Sequence, residues 1–270
     1  MAQTLISDPA LLDAIDPFAP VAVQNAAKMA AQLTHQETGV PVAAVMRSCE
    51  VRAFVELVKL KQGTVEDLVL IGIDCYGRYE NQDYLKLASN GSGLTAESFL
   101  KGAAEGTTET DGIDIAQACQ VCEFPIAEAV DLRLCVVGTD LSKAVYLEAL
   151  TDKGKAVAAS AKLADGDAPA DRDQAVAALN QARLDAKTAF FADVEKRTGD
   201  LGGLAEAVAS CINCYNCRVA CPVCYCRECV FVTDTFRHDS EKFLSWSEKR
   251  GQLKMPTDTV MFHMTRMLHM

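Results

Sequence analysis

Seven cysteines crowd residues 211–229, and this cluster limits what the chain can fold into more than any other feature. The segment reads CINCYNCRVACPVCYCREC, and the whole chain of 270 residues carries twelve cysteines. Disulfides would suit a secreted protein, but the N-terminal residues lack the charged and apolar regions of a signal peptide. In a reducing compartment such a cluster indicates metal binding, so we expect a cytoplasmic metalloprotein.

The first four of these cysteines follow the spacing of bacterial ferredoxins. Cys211, Cys214 and Cys217 form C-x2-C-x2-C, and Cys221 follows after three intervening residues with Pro222 directly behind it. Tight turns in such a loop aim three thiolates at one cube, while zinc sites favour two C-x2-C pairs with a longer spacer. The spacing therefore favours an iron–sulfur cluster. In two-cluster ferredoxins the fourth cysteine binds the other cluster, which leaves the assignment of Cys221 open.

The remaining three cysteines of the segment allow two interpretations. Cys224, Cys226 and Cys229 can supply the fourth ligand of this cluster, or they can hold a further cluster together with Cys221. Two cubanes need eight ligands, and the segment has seven cysteines. A partner chain or a ligand other than cysteine would then complete the set.

Four cysteines outside the segment form a second, dispersed candidate set. Cys49 and Cys75 each follow an apolar run that predicts a strand, and α/β sheets gather ligand sites just past the carboxyl ends of their strands. Cys119 and Cys122 add a C-x2-C pair, which makes four thiols and is enough for one cubane. Cys135 lies between apolar residues in LRLCVVG, so we expect it to pack as a small hydrophobic residue.

The hydrophobic pattern predicts an α/β fold, with α+β as the alternative. Apolar runs at 40–46, 68–73 and 132–137 predict strands, the first of them buried, while residues 21–33 and 51–58 have helical spacing. Strands that alternate with helices indicate a small mixed sheet with some parallel pairing.

Composition divides the chain into four parts. We expect an α/β domain, a helical spacer, a ferredoxin-like cluster segment and a helical C-terminal tail, at residues 1–150, 151–205, 206–235 and 236–270. Within the spacer, residues 171–197 predict a helix that is either solvated or engaged in packing. The glycines at 199, 202 and 203 are expected to break the chain before a short helix, LAEAVAS.

Charge and hydropathy exclude two classes of partner. The formal net charge is -11, which argues against a nucleic-acid surface and against a polybasic membrane anchor. No stretch approaches the roughly 18 apolar residues of a membrane-spanning helix. We therefore expect no nucleic acid and no transmembrane segment.

The cysteine motifs, in their order, resemble the beta subunit family of deazaflavin-reducing hydrogenases and deazaflavin-linked formate dehydrogenases. The segments that carry the resemblance are RSCEVRA, GIDC, ACQVC and CINCYNCRVACPVCYC, at residues 47–53, 72–75, 118–122 and 211–226. The resemblance implies that Cys49, Cys75, Cys119 and Cys122 hold a [4Fe-4S] cluster beside a flavin. In that family the flavin exchanges a hydride with deazaflavin coenzyme F-420 and passes electrons singly to the cluster.

Two departures from the family pattern concern the cofactors. The family has a longer portion before the first cluster cysteine, whereas only 48 residues precede Cys49 here and they contain no glycine-rich flavin fingerprint. Longer relatives also continue past a similar tail into another ferredoxin motif. We expect another subunit to provide that motif where it is needed.

Together these features predict an iron–sulfur electron-transfer subunit of an anaerobic oxidoreductase complex, with two [4Fe-4S] clusters and room for a third. Its partner would be a formate dehydrogenase, hydrogenase or heterodisulfide-reductase-like subunit. The alternative is a subunit that carries FAD and itself exchanges hydride with coenzyme F-420 or a related donor. A zinc-bound structural adaptor is a third hypothesis. Arg47 and Arg52 flank Cys49, where they would raise the cluster's potential, bind an anionic cofactor or simply be solvated.

Overall fold

The chain divides into two compact units, residues 1–190 and 191–270. The computed structural model describes residues 3–36, 38–212, 214–226, 240–251 and 264. The four parts expected from composition stay a prediction. None of the described helices is both long and apolar enough to cross a membrane.

The first unit combines four strands with a series of helices. After a short 3-10 helix, Pro9–Ala14, its elements are α1 (Ala27–Leu33), β1 (Val42–Arg47), α2 (Ser48–Lys59), β2 (Leu68–Ile73), α3 (Asn81–Ser89), α4 (Ala96–Ala104), α5 (Gln117–Gln120), β3 (Leu132–Cys135), β4 (Tyr146–Ala149) and α6 (Asp152–Ser160). The long helix α7 (Arg172–Thr198) begins in this unit. The second unit contains α8 (Leu201–Ala207), α9 (Cys217–Ala220) and α10 (Ser240–Arg250).

The strands form one mixed sheet in the order β1-β2-β3-β4. β1 pairs with β2 in parallel, and β2 pairs with β3 in parallel, with Ile73 opposite both Arg47 and Leu134. β4 closes the sheet antiparallel to β3. The predicted mixed α/β fold with some parallel pairing is thus confirmed, while β4 was not predicted because its sequence, YLEA, has no apolar run.

The prediction that the first strand is buried is wrong. β1 lies at the edge of the sheet, where Val45 is 45% exposed although the neighbouring Met46 is only 1% exposed. An edge strand with one open face presents alternate side chains to solvent, so small apolar residues there do not imply burial. The helix predicted at 21–33 also begins later than expected, at Ala27.

Helix α2 follows β1 directly, without an intervening loop. Its buried face carries Val51, Phe54 and Leu57, which confirms the helical spacing expected for residues 51–58. Glu50 caps the helix start, since its Oε2 accepts the Arg47 N–H at 2.8 Å. The close junction places the residues that follow Arg47 at the carboxyl end of the strand.

A hydrophobic core of the first unit lies around Tyr79 and Phe99, whose rings meet edge to face with 5.6 Å between their centroids. Val176 and Leu179 of α7 pack against this core. The helix predicted at 171–197 is confirmed, since α7 spans Arg172–Thr198. The half of α7 that carries Val176 and Leu179 packs against the core, as one of the two expectations for this helix had it.

In the second unit, the expectation that glycines break the chain at 202 and 203 is wrong. Both positions lie inside α8, because Asp200 caps the helix by accepting the Gly203 N–H at 2.7 Å. The helix α10 lies within the predicted helical tail. The segment 261–270 at the end of that predicted tail lies almost entirely outside the described residues.

Candidate metal centre

Cys49 and Cys75 lie at the same edge of the sheet. Cys49 is in the first turn of α2, which directly follows β1. Cys75 comes just after β2, with only Asp74 between the end of the strand and the cysteine. β1 and β2 are neighbouring parallel strands in register up to Arg47 and Ile73. The carboxyl ends of these strands therefore bring the two cysteines together, as their position after predicted strands leads one to expect.

The Cys119–Cys122 pair comes to this edge on a separate loop. Cys119 lies in α5, and the Cys122 N–H donates to its carbonyl at 3.3 Å. Beyond the pair, the Pro125 carbonyl accepts the Cys75 N–H at 2.8 Å, which ties the loop to the end of β2. Gly77 permits the close approach: it has φ +118°, and a Cβ there would lie 3.1 Å from Cβ of Cys119.

The charges around Cys49 show that its thiol has other thiols for neighbours. The Cys49 side chain reaches the surface, yet protein atoms crowd the sulfur, and this desolvation raises its pKa to about 12. Repulsion from Glu50, Cys75 and Cys119 adds to the rise, while Arg47 opposes it.

Cys75 is coupled to the other members in the same way. Desolvation by burial raises its pKa to about 11, Arg47 and a hydrogen bond from the Gly77 N–H oppose the rise, and repulsion from Cys119 and Cys122 adds to it. Cys49 is thus coupled to Cys75 and Cys119, and Cys75 is coupled to Cys119 and Cys122, so Cys75 links all four dispersed thiols. Four such thiolates need a cationic centre, because metal binding is what keeps crowded cysteines deprotonated.

The four dispersed cysteines supply the number of thiols that one [4Fe-4S] cluster requires. Across the residues that the structure describes, no three His, Cys, Asp or Glu side chains are grouped so that they could hold one metal ion. In a [4Fe-4S] cluster each cysteine binds a different iron, so the sulfurs stand farther apart than ligands around a single ion. Four thiols and an N–H donor directed at one of them are the groups that such a cluster uses, and these residues fit it.

Arg47 and Arg52 differ in their surroundings. The Arg47 side chain is mostly buried, donates to the Ala19 carbonyl at 2.7 Å and lies 3.9 Å from Glu50, so solvation does not explain it. Its charge acts on Cys49 and Cys75, as noted above. Arg52 is exposed and lies over the ring of Phe124, with its guanidinium carbon 3.6 Å from the ring centroid.

A small, partly open pocket lies beside Cys75. Its lining includes Arg47, Gly77 and Phe99, and its cavity volume is about 10 Å³, enough for about one water molecule. Pockets for drug-sized ligands usually measure roughly 300–1,000 Å³. This pocket does not fit a flavin, and none of the residues around it forms a glycine-rich turn at a helix start.

Sequence reasoning missed Asp74, which is fully buried next to Cys75. Its Oδ2 accepts the N–H groups of Val136 and Val137 at 3.0 and 3.2 Å and lies 2.6 Å from Arg172 Nη1 of α7. The sequence contained a signal for Asp74, because this polar residue directly follows a predicted strand and directly precedes a candidate ligand. The pair ties helix α7 to the edge of the sheet that carries the cysteines.

Arg183 was also missed, although it lies on the same face of α7. It is 7% exposed; its Nη1 donates to the carbonyl of Cys119 and its Nη2 to the carbonyl of Tyr76 at 2.5 Å. One turn further along, Lys187 Nζ lies 2.6 Å from Glu123 Oε2. The sequence did contain a signal for Arg183. It lies eleven residues after Arg172, which is close to three helical turns and places both arginines on one face of the helix.

The cysteine-rich segment lies in the second unit. Tyr215 has φ +60°, a left-handed turn between Cys214 and the start of α9 at Cys217. The Cys217 carbonyl accepts the Cys221 N–H at 2.9 Å. Cys224 and Cys226 follow in irregular structure, and Cys229 lies outside the described residues, as does position 213. The ferredoxin-like cluster on Cys211, Cys214, Cys217 and Cys221 therefore stays a prediction.

Cys135 is fully buried at the end of β3, which confirms that it packs as a hydrophobic residue. Burial, and after it the charge of Asp74, raises the pKa of this thiol to about 11.

Comparison with known proteins places these motifs in a family context. No protein-family model matches the chain. The F420-dependent formate dehydrogenase 1 subunit beta of Methanococcus maripaludis is 26% identical to it over 259 residues, which covers 85% of this chain. The F420-dependent formate dehydrogenase subunit beta of Methanocaldococcus jannaschii is 23% identical over 252 residues, 84% of this chain. The chain spans 62% of the length of each of these relatives. In agreement with the order of its cysteine motifs, the chain is similar to the beta subunits of F420-dependent formate dehydrogenases.

Proposed function

We propose that this chain is an iron–sulfur electron-transfer subunit of an oxidoreductase complex. The relatives are named as subunits of formate dehydrogenases, which supports an oxidoreductase subunit. The observation that carries the proposal is the convergence of four cysteines from three distant parts of the chain: two strand ends and one loop. Four thiols gathered in this way suit a [4Fe-4S] cluster on Cys49, Cys75, Cys119 and Cys122.

Such a cluster, when bound, accepts and donates one electron at a time. The chain's own residues hold its thiolate ligands and compensate their charge. The Gly77 N–H donates to the Cys75 sulfur, and the mostly buried guanidinium of Arg47 favours the charged form of both Cys49 and Cys75. Hydrogen bonds and cations of this kind stabilise the more negative, reduced state.

The second unit would hold a second cluster, nucleated by Cys211, Cys214 and Cys217. Cys221 would be its fourth ligand, or one of Cys224, Cys226 and Cys229 would take that place while the others contribute to a further cluster. The support for this part is the ferredoxin spacing alone. Electrons would then pass between the clusters and on to or from a partner subunit.

The relatives' names also indicate the class of partner. We infer that this chain assembles with another subunit of a redox complex, of the formate dehydrogenase, hydrogenase or heterodisulfide-reductase-like kind. Anaerobic co-purification from the native organism, followed by mass spectrometry of the accompanying chains, tests this. A monodisperse monomer with every cluster complete contradicts it.

The cluster itself is tested by anaerobic purification or reconstitution, with assays of iron and acid-labile sulfide and with electron paramagnetic resonance after reduction. We expect several irons per chain, and we expect the Cys49→Ser variant to lose one reducible signal. The matched control is Cys135→Ala, which removes a cysteine outside the proposed set and should keep all signals. Protein that binds zinc and no iron after reconstitution contradicts the proposal and supports the adaptor hypothesis.

A second candidate function follows from the names of the relatives, which are subunits of F420-dependent formate dehydrogenases. In this case the chain would bind FAD and itself exchange hydride with the deazaflavin. The pocket beside Cys75 does not fit a flavin, so a flavin would need another site. Absorbance and fluorescence of the supernatant after the protein is denatured decide the matter: released flavin supports this candidate, and its absence from protein with full iron content removes it.

A further inference from the structure

Arg183 binds the backbone of two of the three segments that bring cysteines to the candidate cluster. One of its guanidinium nitrogens donates to the carbonyl of Cys119 itself, and the other donates to the carbonyl of Tyr76, the residue after Cys75. A single planar fork thus holds the loop after β2 beside the C-x2-C loop. The side chain comes from α7, which packs on the core through Val176 and Leu179 and is anchored by Arg172.

Within the described part of the chain, no carboxylate balances the charge of Arg183. Arg172 lies 2.6 Å from Asp74, and Arg47 lies 3.9 Å from Glu50. Among the residues that the structure describes, no Asp or Glu oxygen comes within ion-pair distance of Arg183, whose hydrogen-bond acceptors are two neutral carbonyls. Burying a cation without an anion is costly, so an anionic group nearby is the expected compensation.

A cubane with four thiolate ligands supplies such an anion. The cluster carries net negative charge in both redox states, and reduction adds one more negative charge. A buried cation close to one of its ligands therefore stabilises the reduced state more than the oxidised state. Net charge and hydrogen bonding around the cluster are the quantities by which a protein sets its potential.

We propose that Arg183 is a positioning and charge-compensating residue for the cluster on Cys49, Cys75, Cys119 and Cys122. It fixes two of the ligand-bearing segments and raises the cluster's reduction potential. This inference rests on the proposed function, since it requires that the cluster is present.

The test compares Arg183→Gln, which keeps a donor and loses the charge, with Arg183→Lys, which keeps the charge and loses the fork. The control is Arg197→Gln, which removes an exposed arginine from the same helix, paired with Asp193 at 2.9 Å. Each reconstituted full-length protein is assayed for iron and titrated with reductant while electron paramagnetic resonance follows the cluster that Cys49→Ser abolishes. Far-UV circular dichroism checks that each variant is folded.

We expect the ratio of reduced to oxidised cluster, at a fixed solution potential, to fall about tenfold in Arg183→Gln, which is about 59 mV for a one-electron couple. Arg183→Lys should keep the wild-type potential with a lower iron content, and Arg197→Gln should match wild type in both. Loss of the cluster from Arg183→Gln but not from Arg183→Lys also supports the proposal.

An unchanged potential in Arg183→Gln with full iron content overturns the proposal, and so does equal loss of the cluster from both Arg183 variants. Failure of the proposed function gives a different result. In that case the wild-type protein itself contains no reducible cluster that Cys49→Ser removes.

Discussion

Asp74 and Arg172 form a buried, two-pronged ion pair that joins the carboxyl end of β2 to the first turn of α7. The two contacts between guanidinium nitrogens and carboxylate oxygens measure 2.6 and 3.3 Å. Asp74 also accepts the N–H groups of Val136 and Val137, while Arg172 donates to the Val137 carbonyl at 2.8 Å. Because Asp74 directly precedes Cys75, this pair fixes the helix against the strand end that carries a candidate ligand.

Removing one partner of this pair should destabilise the first unit severely. In Arg172→Met the carboxylate of Asp74 stays buried without its cation, and such a loss typically costs about 3–5 kcal/mol. The chain's one tryptophan, Trp246, lies in the second unit and would report on the wrong region. Hydrogen exchange of peptides from β2 and β3 in increasing urea measures the effect where it is expected.

The control for this prediction is an exposed pair on the same unit. Lys59 Nζ lies 2.8 Å from Glu56 Oε1 at the surface, so Lys59→Met should change the free energy of unfolding by less than about 1 kcal/mol. The double variant Asp74→Asn with Arg172→Met should recover part of the lost stability, because no uncompensated charge remains. Equal effects of Arg172→Met and Lys59→Met contradict a structural role for the buried pair.

The sequence predicts where Cys49 and Cys75 lie because the signal is local. An apolar run followed by a cysteine places the thiol at the end of a strand, and parallel strands align their carboxyl ends. The extent of α7 is equally local, since it depends on helical spacing in an Ala-rich background. The positions of ligands on secondary structure could thus be read without knowledge of the tertiary contacts.

The roles of Asp74 and Arg183 could not be read in this way. A carboxylate after a strand and an arginine in a charged helix look solvated in sequence, and only the tertiary arrangement supplies their buried partners. The strand β4 was not predicted for a related reason. Its four half-buried residues show neither an apolar run nor a clear alternation of apolar and polar residues. The burial of β1 was overestimated because the sequence does not show which strand lies at the edge.

Replacing Gly154 with alanine should destabilise the first unit, although alanine normally favours a helix over glycine by about 1 kcal/mol. A Cβ on Gly154 would overlap the Asp131 carbonyl oxygen, which belongs to the backbone and cannot move aside freely. We expect a loss of roughly 1–3 kcal/mol, as for other overpacked sites. Urea unfolding followed by far-UV circular dichroism measures it.

Gly166 provides the matched control for this substitution. A Cβ there meets open space, so Gly166→Ala should be neutral or slightly stabilising through the unfolded chain. A stabilised Gly154→Ala variant would show that α6 does not pack against Asp131 as closely as the structure indicates.

The Cys135 thiol should resist alkylation in the native protein. It is fully buried, and burial raises its pKa to about 11, so at pH 8 it is both protonated and inaccessible. Only the thiolate reacts, and its fraction grows as pH rises toward this pKa. In iron-free protein treated with iodoacetamide, peptide mass spectrometry should show Cys135 labelled at least about tenfold more slowly than the exposed Cys214 and Cys226. Labelling of Cys135 at the same rate as those two would contradict its buried position, and unfolding in urea should remove the difference.

The two candidate clusters should be lost separately. Cys122→Ser removes a ligand of the dispersed set, and Cys214→Ser removes one from the ferredoxin-like run, so each variant should lose about four irons per chain. Each should lose a different reducible signal in electron paramagnetic resonance, and the double variant should lose both. Because the two sets lie in different compact units, circular dichroism of each single variant should stay close to that of wild type. If Cys214→Ser and Cys122→Ser abolish the same signal, both sets of cysteines bind one cluster. The proposal of two separate clusters would then be wrong.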